Sequence, residues 1–309
     1  MSSSTNKYGI LALLLCSTIW GFAFSAQSAG MKHMGPCAFN AVRSVIGAVA
    51  LMVSLPLLDI INRRKPSVWG TANSSESRHA LFIGSLLSGM TLGVASLCQQ
   101  IGIVHASVGK AGFLTALYII LVPILGMFIG QKTSIIVWIS AVFALFGTTL
   151  LCNLTLDSGF STGDYWLIAS AFLFAVQILV VARYVPKTDS VRLSCLQFII
   201  VAAISFLAMP LFHEASLGAI KLAIGPLLFC GVISSGIAYT LQNVGQKYVH
   251  PVVATLLMSL ESVFSAIGGW LCLNQKLSMK ELLGCVIIFV AVLLAQIPAE
   301  TLLGKKKLA

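Results

Sequence analysis

The sequence predicts an all-α integral membrane protein with ten transmembrane helices, built as two inverted repeats of five helices. Three observations indicate this fold: an apolar composition, ten long apolar segments, and an uneven distribution of basic residues between alternate loops. Of the 309 residues, 58% are hydrophobic and 9% are charged, whereas about a quarter of a soluble globular chain is charged. Because the chain has too little polar surface for a water-soluble fold, we expect lipid to solvate most of it.

The ten apolar segments are each close to the roughly 20 residues that a helix needs to cross a bilayer. They span approximately residues 8–29, 37–58, 80–101, 109–130, 134–152, 165–184, 193–212, 222–243, 251–272 and 281–298. The longest connection, 59–78, is too short to form a soluble domain. Small residues at 23–29 are typical of a signal-peptide cleavage site, but the apolar run before them is long, so we expect the first helix to be retained.

The basic residues predict the orientation, because cytoplasmic loops of membrane proteins are enriched in Lys and Arg. With the N-terminus placed inside, five basic residues fall in outer loops and one, Arg43, lies within a helix. The cytoplasmic side then receives Lys7, Arg63, Arg64, Lys65, Arg78, Lys132, Arg183, Lys187, Arg192, Lys247, Lys305, Lys306 and Lys307. Both termini are therefore predicted to be cytoplasmic. These loops account for the net charge of +10, and no basic patch carries the interleaved aromatic residues that would indicate nucleic-acid binding.

An internal sequence repeat divides the chain into halves. The stretch that begins at Gln99 returns 143 residues later at Gln242, and in this register Tyr118 aligns with Glu261. A second register, with an offset of 154 residues, aligns the first two helices with the sixth and seventh. Because each half has an odd number of helices, the second half crosses the membrane in the opposite sense, an arrangement that secondary transporters use for alternating access.

These registers define the predicted units of the chain. The first repeat covers residues 8–152, and the second covers 165–298. A basic cytoplasmic tail follows at 299–309.

Glu261 is one of two ionisable residues well inside predicted helices, where a charge costs about 2.5–3.5 kcal/mol on insertion scales. Helical spacing places it on a small and polar stripe, whereas Leu256, Leu257 and Leu260 fall on faces that can contact lipid. Two roles stay open. Glu261 binds a cationic or amine group of a substrate, or carries a coupling proton, since burial disfavours the charged carboxylate. Alternatively, it is a hydrogen-bonded residue that locks its helix to a neighbour.

Arg43 is the second such residue, and it lies about two turns from the outer end of its helix. Its position favours a side chain that extends to the outer membrane surface. The alternatives are that it pairs with an acidic group or holds a carboxylate of the substrate.

Uncharged polar residues within the helices complete a predicted cavity. For each of them taken singly, hydrogen bonding between helices is the competing role. Tyr118 is selected because the repeat register sets it opposite Glu261, and Trp20 because its neighbour Gly21 permits close approach to the path. The predicted substrate- or proton-binding residues are Glu261, Tyr118, Gln99, Gln242, Tyr239, Trp20, Arg43, Asn40 and Gln177.

No enzyme signature is present, and we predict neither catalytic residues nor a metal or cofactor. The chain lacks H-E-x-x-H, G-x-S-x-G and P-loop motifs. Its eight cysteines form no C-x-x-C pair and do not cluster with histidine at the spacing of metal ligands.

Four motifs, in this order and spacing, resemble the EamA-type family of the drug/metabolite transporter superfamily. They are Trp20-Gly21, Arg43, the run Ala111-Gly-Phe-Leu-Thr-Ala-Leu-Tyr-x4-Pro123 and the run Leu260-Glu-Ser-Val-Phe-Ser-Ala-Ile-Gly-Gly269. The resemblance covers essentially the whole chain. It implies ten helices with both termini inside, a central cavity and, usually, export of amino acids, metabolites or drugs across a bacterial inner membrane.

One departure from the family pattern concerns the glycine-rich ends of the fourth and ninth helices. Similar proteins commonly place an acidic residue there, where this chain has Gln131 and Asn274-Gln275. Any coupling or anchoring role of those acids therefore does not transfer, whereas Glu261 matches the pattern of the ninth helix.

We therefore expect a secondary transporter of the cell membrane that exports a small polar or amphipathic metabolite by alternating access. Proton coupling is a hypothesis that rests on the single carboxylate inside the bundle. The alternatives are an uptake carrier or facilitator of the same fold and, less favoured, an integral membrane enzyme that modifies lipids. The expected partners are the small-molecule substrate and the lipid bilayer, and the sequence does not indicate an oligomeric state.

Overall fold

The computed structural model describes residues 3–106, 108–152, 161–212, 214, 218–273 and 278–296. The regular secondary structure within these ranges is helical, with no β-strand. The predicted tail 299–309 lies outside the described residues. A π-helix at Phe229–Ala238 joins α9 to α10. The α-helices are α1 (Ser3–Gly30), α2 (Pro36–Ile61), α3 (Ser75–His105), α4 (Val108–Ala116), α5 (Tyr118–Phe128), α6 (Ile135–Leu151), α7 (Thr162–Tyr184), α8 (Ser190–Ala208), α9 (Ile224–Leu228), α10 (Tyr239–Gln246), α11 (Pro251–Met258), α12 (Leu260–Leu273) and α13 (Met279–Ala295).

Within these ranges, seven helical segments are long and apolar enough to cross a membrane, and two shorter apolar helices accompany them. Apolar side chains such as Val53, Phe82 and Phe128 are exposed on the outside of the bundle, as expected where lipid is the solvent. An all-helical integral membrane fold is thus confirmed, whereas the helix count of ten and the cytoplasmic termini stay predictions.

Two helices that the sequence predicted as continuous are each interrupted near the middle. The fourth predicted helix is divided at Leu117 into α4 and α5, and the ninth is divided at Ser259 into α11 and α12. At each break the backbone tightens into an i to i+3 hydrogen bond, from the Ile120 N–H to the Leu117 carbonyl and from the Ser262 N–H to the Ser259 carbonyl. The 143-residue register places Leu117 within one residue of Ser259, so the breaks occupy corresponding positions.

The most extensive helix contacts join the first half of the chain to the second. The closely packed pairs are α3 with α7, α6 with α13, α2 with α8, and α1 with α10 and α12. The α6–α13 pair shows how small residues permit this packing. A Cβ atom on Gly147 or Gly284 would lie within 3 Å of the carbonyl oxygen of the other glycine. The core therefore lies between the halves.

The expectation that Leu256, Leu257 and Leu260 face lipid is wrong, because all three side chains are buried. The helical periodicity of the ninth predicted helix indicates one small, polar face and one face in contact with lipid. However, α11, which carries Leu256 and Leu257, contacts α1, α5, α6, α7 and α13 and is surrounded by protein. Leu260, the first residue of α12, belongs to the same apolar core.

A buried ion cluster joins the end of α2 to the start of α8. Arg192 Nη2 lies 2.6 Å from Asp59 Oδ2, and Arg192 Nη1 lies 3.3 Å from Asp189 Oδ2. The same cluster holds the connection between α2 and α3, because Arg192 Nε donates to the Val68 carbonyl at 3.0 Å and Asp189 accepts from the Thr71 N–H at 3.0 Å. We call this group the Asp59 clamp.

A second carboxylate bridges the opposite ends of the same two helices. Glu214, which follows α8, accepts hydrogen bonds from the N–H groups of Cys37 at 3.1 Å and Ala38 at 2.8 Å in the first turn of α2. The N-terminus of a helix favours such an anion because its first N–H groups have no partner within the helix. This Glu214 clamp and the Asp59 clamp together fix α2 against α8 at both ends.

Candidate functional site

A cavity lies between helices of both halves and encloses about 550 Å³ of space, including the part that opens to solvent. Eight of the nine residues predicted to bind substrate or a proton line it, and the ninth, Asn40, is buried behind Arg43. The lining residues are Trp20, Ala23, Phe24, Gln27, Arg43, Gln99, Thr115, Tyr118, Phe174, Gln177, Ile178, Ser234, Tyr239, Gln242, Met258 and Glu261. The repeat registers and the polar positions within apolar helices thus selected residues that share one cavity, and their role in binding stays a prediction.

Glu261 occupies the first turn of α12, directly after the break in that helix, and is 5% exposed. Tyr118, the first residue of α5 after the corresponding break, donates a hydrogen bond from its hydroxyl to Glu261 Oε1 at 3.3 Å. None of the three ion pairs within the described ranges includes Glu261. The two residues that the 143-residue register aligns are therefore in contact, and the carboxyl group meets the cavity without a cationic partner from the described chain.

Arg43 does not extend to the outer membrane surface, which was the favoured expectation. Its side chain is buried in the cavity wall, and its Nε donates to Asn40 Oδ1 at 2.9 Å. This hydrogen bond turns the side chain inward, because the Asn40 amide lies inside the bundle and is itself fully buried.

Three polar atoms of cavity-lining residues lack hydrogen-bond partners among the described residues. Gln242 Nε2 donates to Gln177 Oε1 at 3.4 Å, which leaves Gln177 Nε2 as a donor and Gln242 Oε1 as an acceptor. Trp20 Nε1 is the third such atom. Buried polar groups are usually hydrogen-bonded, so these two donors and one acceptor are unsatisfied polar atoms on residues that line the cavity.

The remaining predicted residues are held by their neighbours. Gln99 Nε2 donates to Thr115 Oγ1 at 3.5 Å. The ring of Tyr239 packs against Trp20 at a centroid distance of 4.7 Å and against Phe198 at 5.1 Å in an edge-to-face arrangement. These contacts give the cavity an aromatic side that can pack against an apolar part of a substrate.

Several lining residues were not selected from the sequence. Phe174 could have been found, because the 154-residue register aligns it with Trp20, and Met258 lies on the same helical stripe as Glu261. Ser234 gave no usable signal, since it reaches the cavity from the π-helix and its position does not follow a period of 3.6 residues. Within the described ranges, no group of three His, Cys, Asp or Glu side chains could hold a metal ion.

Replacing Tyr118 with Phe is expected to destabilise the protein by about 1–3 kcal/mol, because it leaves the buried Glu261 carboxyl without its described hydrogen-bond donor. Thermal unfolding of the purified protein in detergent measures this loss, which should lower Tm by several degrees. Tyr8→Phe is the matched control, since Tyr8 is 71% exposed and should be neutral. Equal Tm values for the two variants would contradict a structural Tyr118–Glu261 bond.

Comparisons with known proteins agree with this architecture. The model of the EamA-like transporter family matches residues 7–153 and 161–296. An uncharacterized transporter of Archaeoglobus fulgidus is 26% identical over 293 residues, which are 94% of this chain and 86% of the relative. The uncharacterized transporter YoaV of Bacillus subtilis is 22% identical over 286 residues, which are 90% of this chain and 93% of the relative. A crystal structure with a TM-score of 0.76 and 19% identity shares the fold over 98% of this chain and 99% of its own.

Proposed function

Because the chain belongs to the EamA-like transporter family, we propose that it exports a small polar or amphipathic metabolite from the cell by alternating access. The protein is a multi-pass membrane transporter, since its family, its relatives and its apolar helices agree on this. The proposal adds three points to this. The transport is export, the substrate is a small polar or amphipathic metabolite, and the membrane is a cell membrane, here a bacterial inner membrane.

The observation that carries the proposal is a cavity between the halves, with the Glu261 carboxyl group in its wall and no described cation paired with that group. The polar lining residues come from both halves, and two of them, Tyr118 and Glu261, lie at the breaks near the middle of the fourth and ninth predicted helices. A binding site between the repeats can be exposed to either side of the membrane when helices of the two repeats rearrange around it. An enzyme that modifies lipids would need its polar residues gathered where headgroups lie, so the lining favours a carrier.

The arrangement of the two halves supports alternating access. Residues aligned by the repeat register, Tyr118 and Glu261, meet at the cavity, and the helix breaks next to them correspond. The two clamps are also related by the repeat. Ala38 binds Glu214 and Arg192 binds Asp59, and the 154-residue register aligns Ala38 with Arg192. An inverted repeat produces such pairs at opposite faces of the membrane, and interconversion of two symmetry-related states then exchanges the open side.

Proton coupling follows from the chemistry of Glu261. A buried carboxyl group without a cationic partner favours its neutral form, and it can therefore gain a proton on one side and release it on the other. The amine group of a substrate competes for the same carboxylate. Exchange of a proton for a substrate at one group would couple export to the inward proton gradient.

Comparison of the culture media of cells that express or lack the protein tests export. Compounds that the protein exports should accumulate in the medium of expressing cells, and the same compounds should leave loaded proteoliposomes faster when a proton gradient is imposed. A flux that does not change when the proton gradient is imposed would exclude proton coupling. Depletion of compounds from the medium of expressing cells would indicate an uptake carrier. Downhill flux equal in both directions without a gradient would instead identify a facilitator.

A further inference from the structure

We infer that Arg43 forms a subsite of the cavity for an anionic group, such as a carboxylate, sulfonate or phosphate, on the transported compound. The inference rests on the proposed function and names a chemical class within it. It concerns a residue that the sequence favoured as an anchor at the membrane surface.

The first argument is that the structure fixes the orientation of the group that holds Arg43. Asn40 Nδ2 donates to Ser96 Oγ at 3.0 Å and to Ser205 Oγ at 2.8 Å. Both serine hydroxyls donate to carbonyl groups one helical turn earlier, so they can only accept from Asn40. The amide oxygen of Asn40 must then point at Arg43, whose Nε donates to it. Three helices, α2, α3 and α8, thus hold the guanidinium group in place.

The second argument is that Arg43 has no negative partner in the described chain, in contrast to Arg192. Both side chains are almost fully buried. Arg192 is neutralised by two carboxylates, whereas none of the three ion pairs within the described ranges includes Arg43. Glu261 lines the same cavity but lies beyond ion-pair distance of the guanidinium group. A buried charge without a counter-charge is unfavourable, and an anion that enters the cavity removes this cost.

The third argument is that two residues lining the same cavity as Arg43 carry unpaired hydrogen-bond donors. Gln177 Nε2, on a side chain that is fully buried, has no partner among the described residues, and Trp20 Nε1 has none either. A guanidinium group together with neutral N–H donors is the usual protein environment of a carboxylate or phosphate. The cavity therefore combines a guanidinium group that has no carboxylate within ion-pair distance among the described residues with unpaired N–H donors, and this combination suits an anionic group of a ligand.

Thermal unfolding of the purified, substrate-free protein tests the missing counter-charge without any knowledge of the substrate. Arg43→Met removes an uncompensated charge but leaves the buried Asn40 Oδ1 without its donor, so Tm should fall by no more than about 5 °C. Arg192→Met is the matched variant, because it leaves two buried carboxylates unpaired and should lower Tm by about 10 °C. An equal and large fall in both variants would show that Arg43 is neutralised by a negative group of the protein and would overturn the inference.

Comparison of culture media tests the subsite itself. Compounds whose level in the medium depends on the protein should carry an anionic group at neutral pH, and their structures will distinguish carboxylates from sulfonates and phosphates. Arg43→Met should lower their export roughly 10- to 100-fold, and Arg43→Lys should lower it less, because lysine keeps the charge. Asn40→Ala should raise KM more than it lowers the maximal rate, since Asn40 only positions Arg43.

The outcomes separate the inference from the proposed function. Protein-dependent compounds that carry no anionic group, or normal export by a folded Arg43→Met variant, would overturn the subsite and leave the transporter proposal intact. A medium that shows no protein-dependent compound in either direction would overturn the proposed function and, with it, the subsite.

Discussion

Replacement of Glu261 by Gln is expected to reduce gradient-driven transport by about 10- to 100-fold. The amide keeps the volume of the side chain and can still accept the hydrogen bond from Tyr118, so the cavity should keep its shape. It cannot carry a proton or balance the charge of an amine group, and interactions with a charged group contribute about 1.5–3 kcal/mol. The response to an imposed proton gradient in proteoliposomes, measured with a compound identified in the medium, checks this result.

Glu214→Gln is the matched control for this experiment. It makes the same chemical change at a carboxylate that lies outside the cavity and binds the first turn of α2. This variant should lose some thermal stability, because the helix N-terminus loses its anion, and should keep its response to the gradient. Full activity of Glu261→Gln across the pH range would leave Glu261 with only the structural role that the sequence also allowed.

Much of the cavity could be predicted from the sequence, because a polar residue within an apolar helix is costly and is retained only for a reason. The rule selects Glu261, Arg43 and the glutamines independently of any tertiary structure. The repeat register then added a contact, since it aligned Tyr118 with Glu261 and the structure places them 3.3 Å apart. Composition, periodicity and the internal repeat are all visible in the sequence without knowledge of the tertiary structure, which is why they could be used for prediction.

The features that were missed depend on distant parts of the chain or on local departures from helical geometry. The direction of Arg43 is decided by the amide of Asn40, which in turn is fixed by two serines on other helices. The burial of Leu256 and Leu257 is decided by how many helices surround α11. The π-helix and the two helix breaks lie within apolar segments that the sequence predicts as continuous helices.

The Asp59 clamp was not predicted at all, because Asp59 and Arg192 are 133 residues apart and each by itself is an ordinary charge at a helix end. The cluster nevertheless joins the two halves of the chain at the ends of α2 and α8. Because the α2–α8 pair is held at both ends, the proposed alternating-access mechanism places the rearrangement in the other helices, and we expect the breaks in the fourth and ninth predicted helices to act as its hinges.

Replacing Arg192 with Met is expected to destabilise the protein by about 3–5 kcal/mol, because two buried carboxylates lose their cation. The corresponding fall in Tm is about 10 °C, measured by thermal unfolding in detergent. The double variant Arg192→Met/Asp59→Leu should recover part of this loss, since it removes one of the two unpaired charges. Asp189 remains in the double variant, and it keeps its hydrogen bonds from the N–H groups of Thr71 and Val191.

The pH dependence of stability gives this prediction a second measurement. Burial opposes ionisation of Asp189, but hydrogen bonds from the backbone N–H groups of Arg192 and Thr71 and the charge of Arg192 outweigh it and lower the pKa of Asp189. A lowered pKa contributes stability above the unfolded value of about 3.9, and this stability is lost as the pH falls through the folded value. Without the Arg192 charge the folded pKa rises, so Arg192→Met should unfold at a higher pH than the wild type. Identical acid-unfolding midpoints would mean that the backbone hydrogen bonds alone hold Asp189 ionised, and that the cluster stabilises the α2–α8 pair through Asp59.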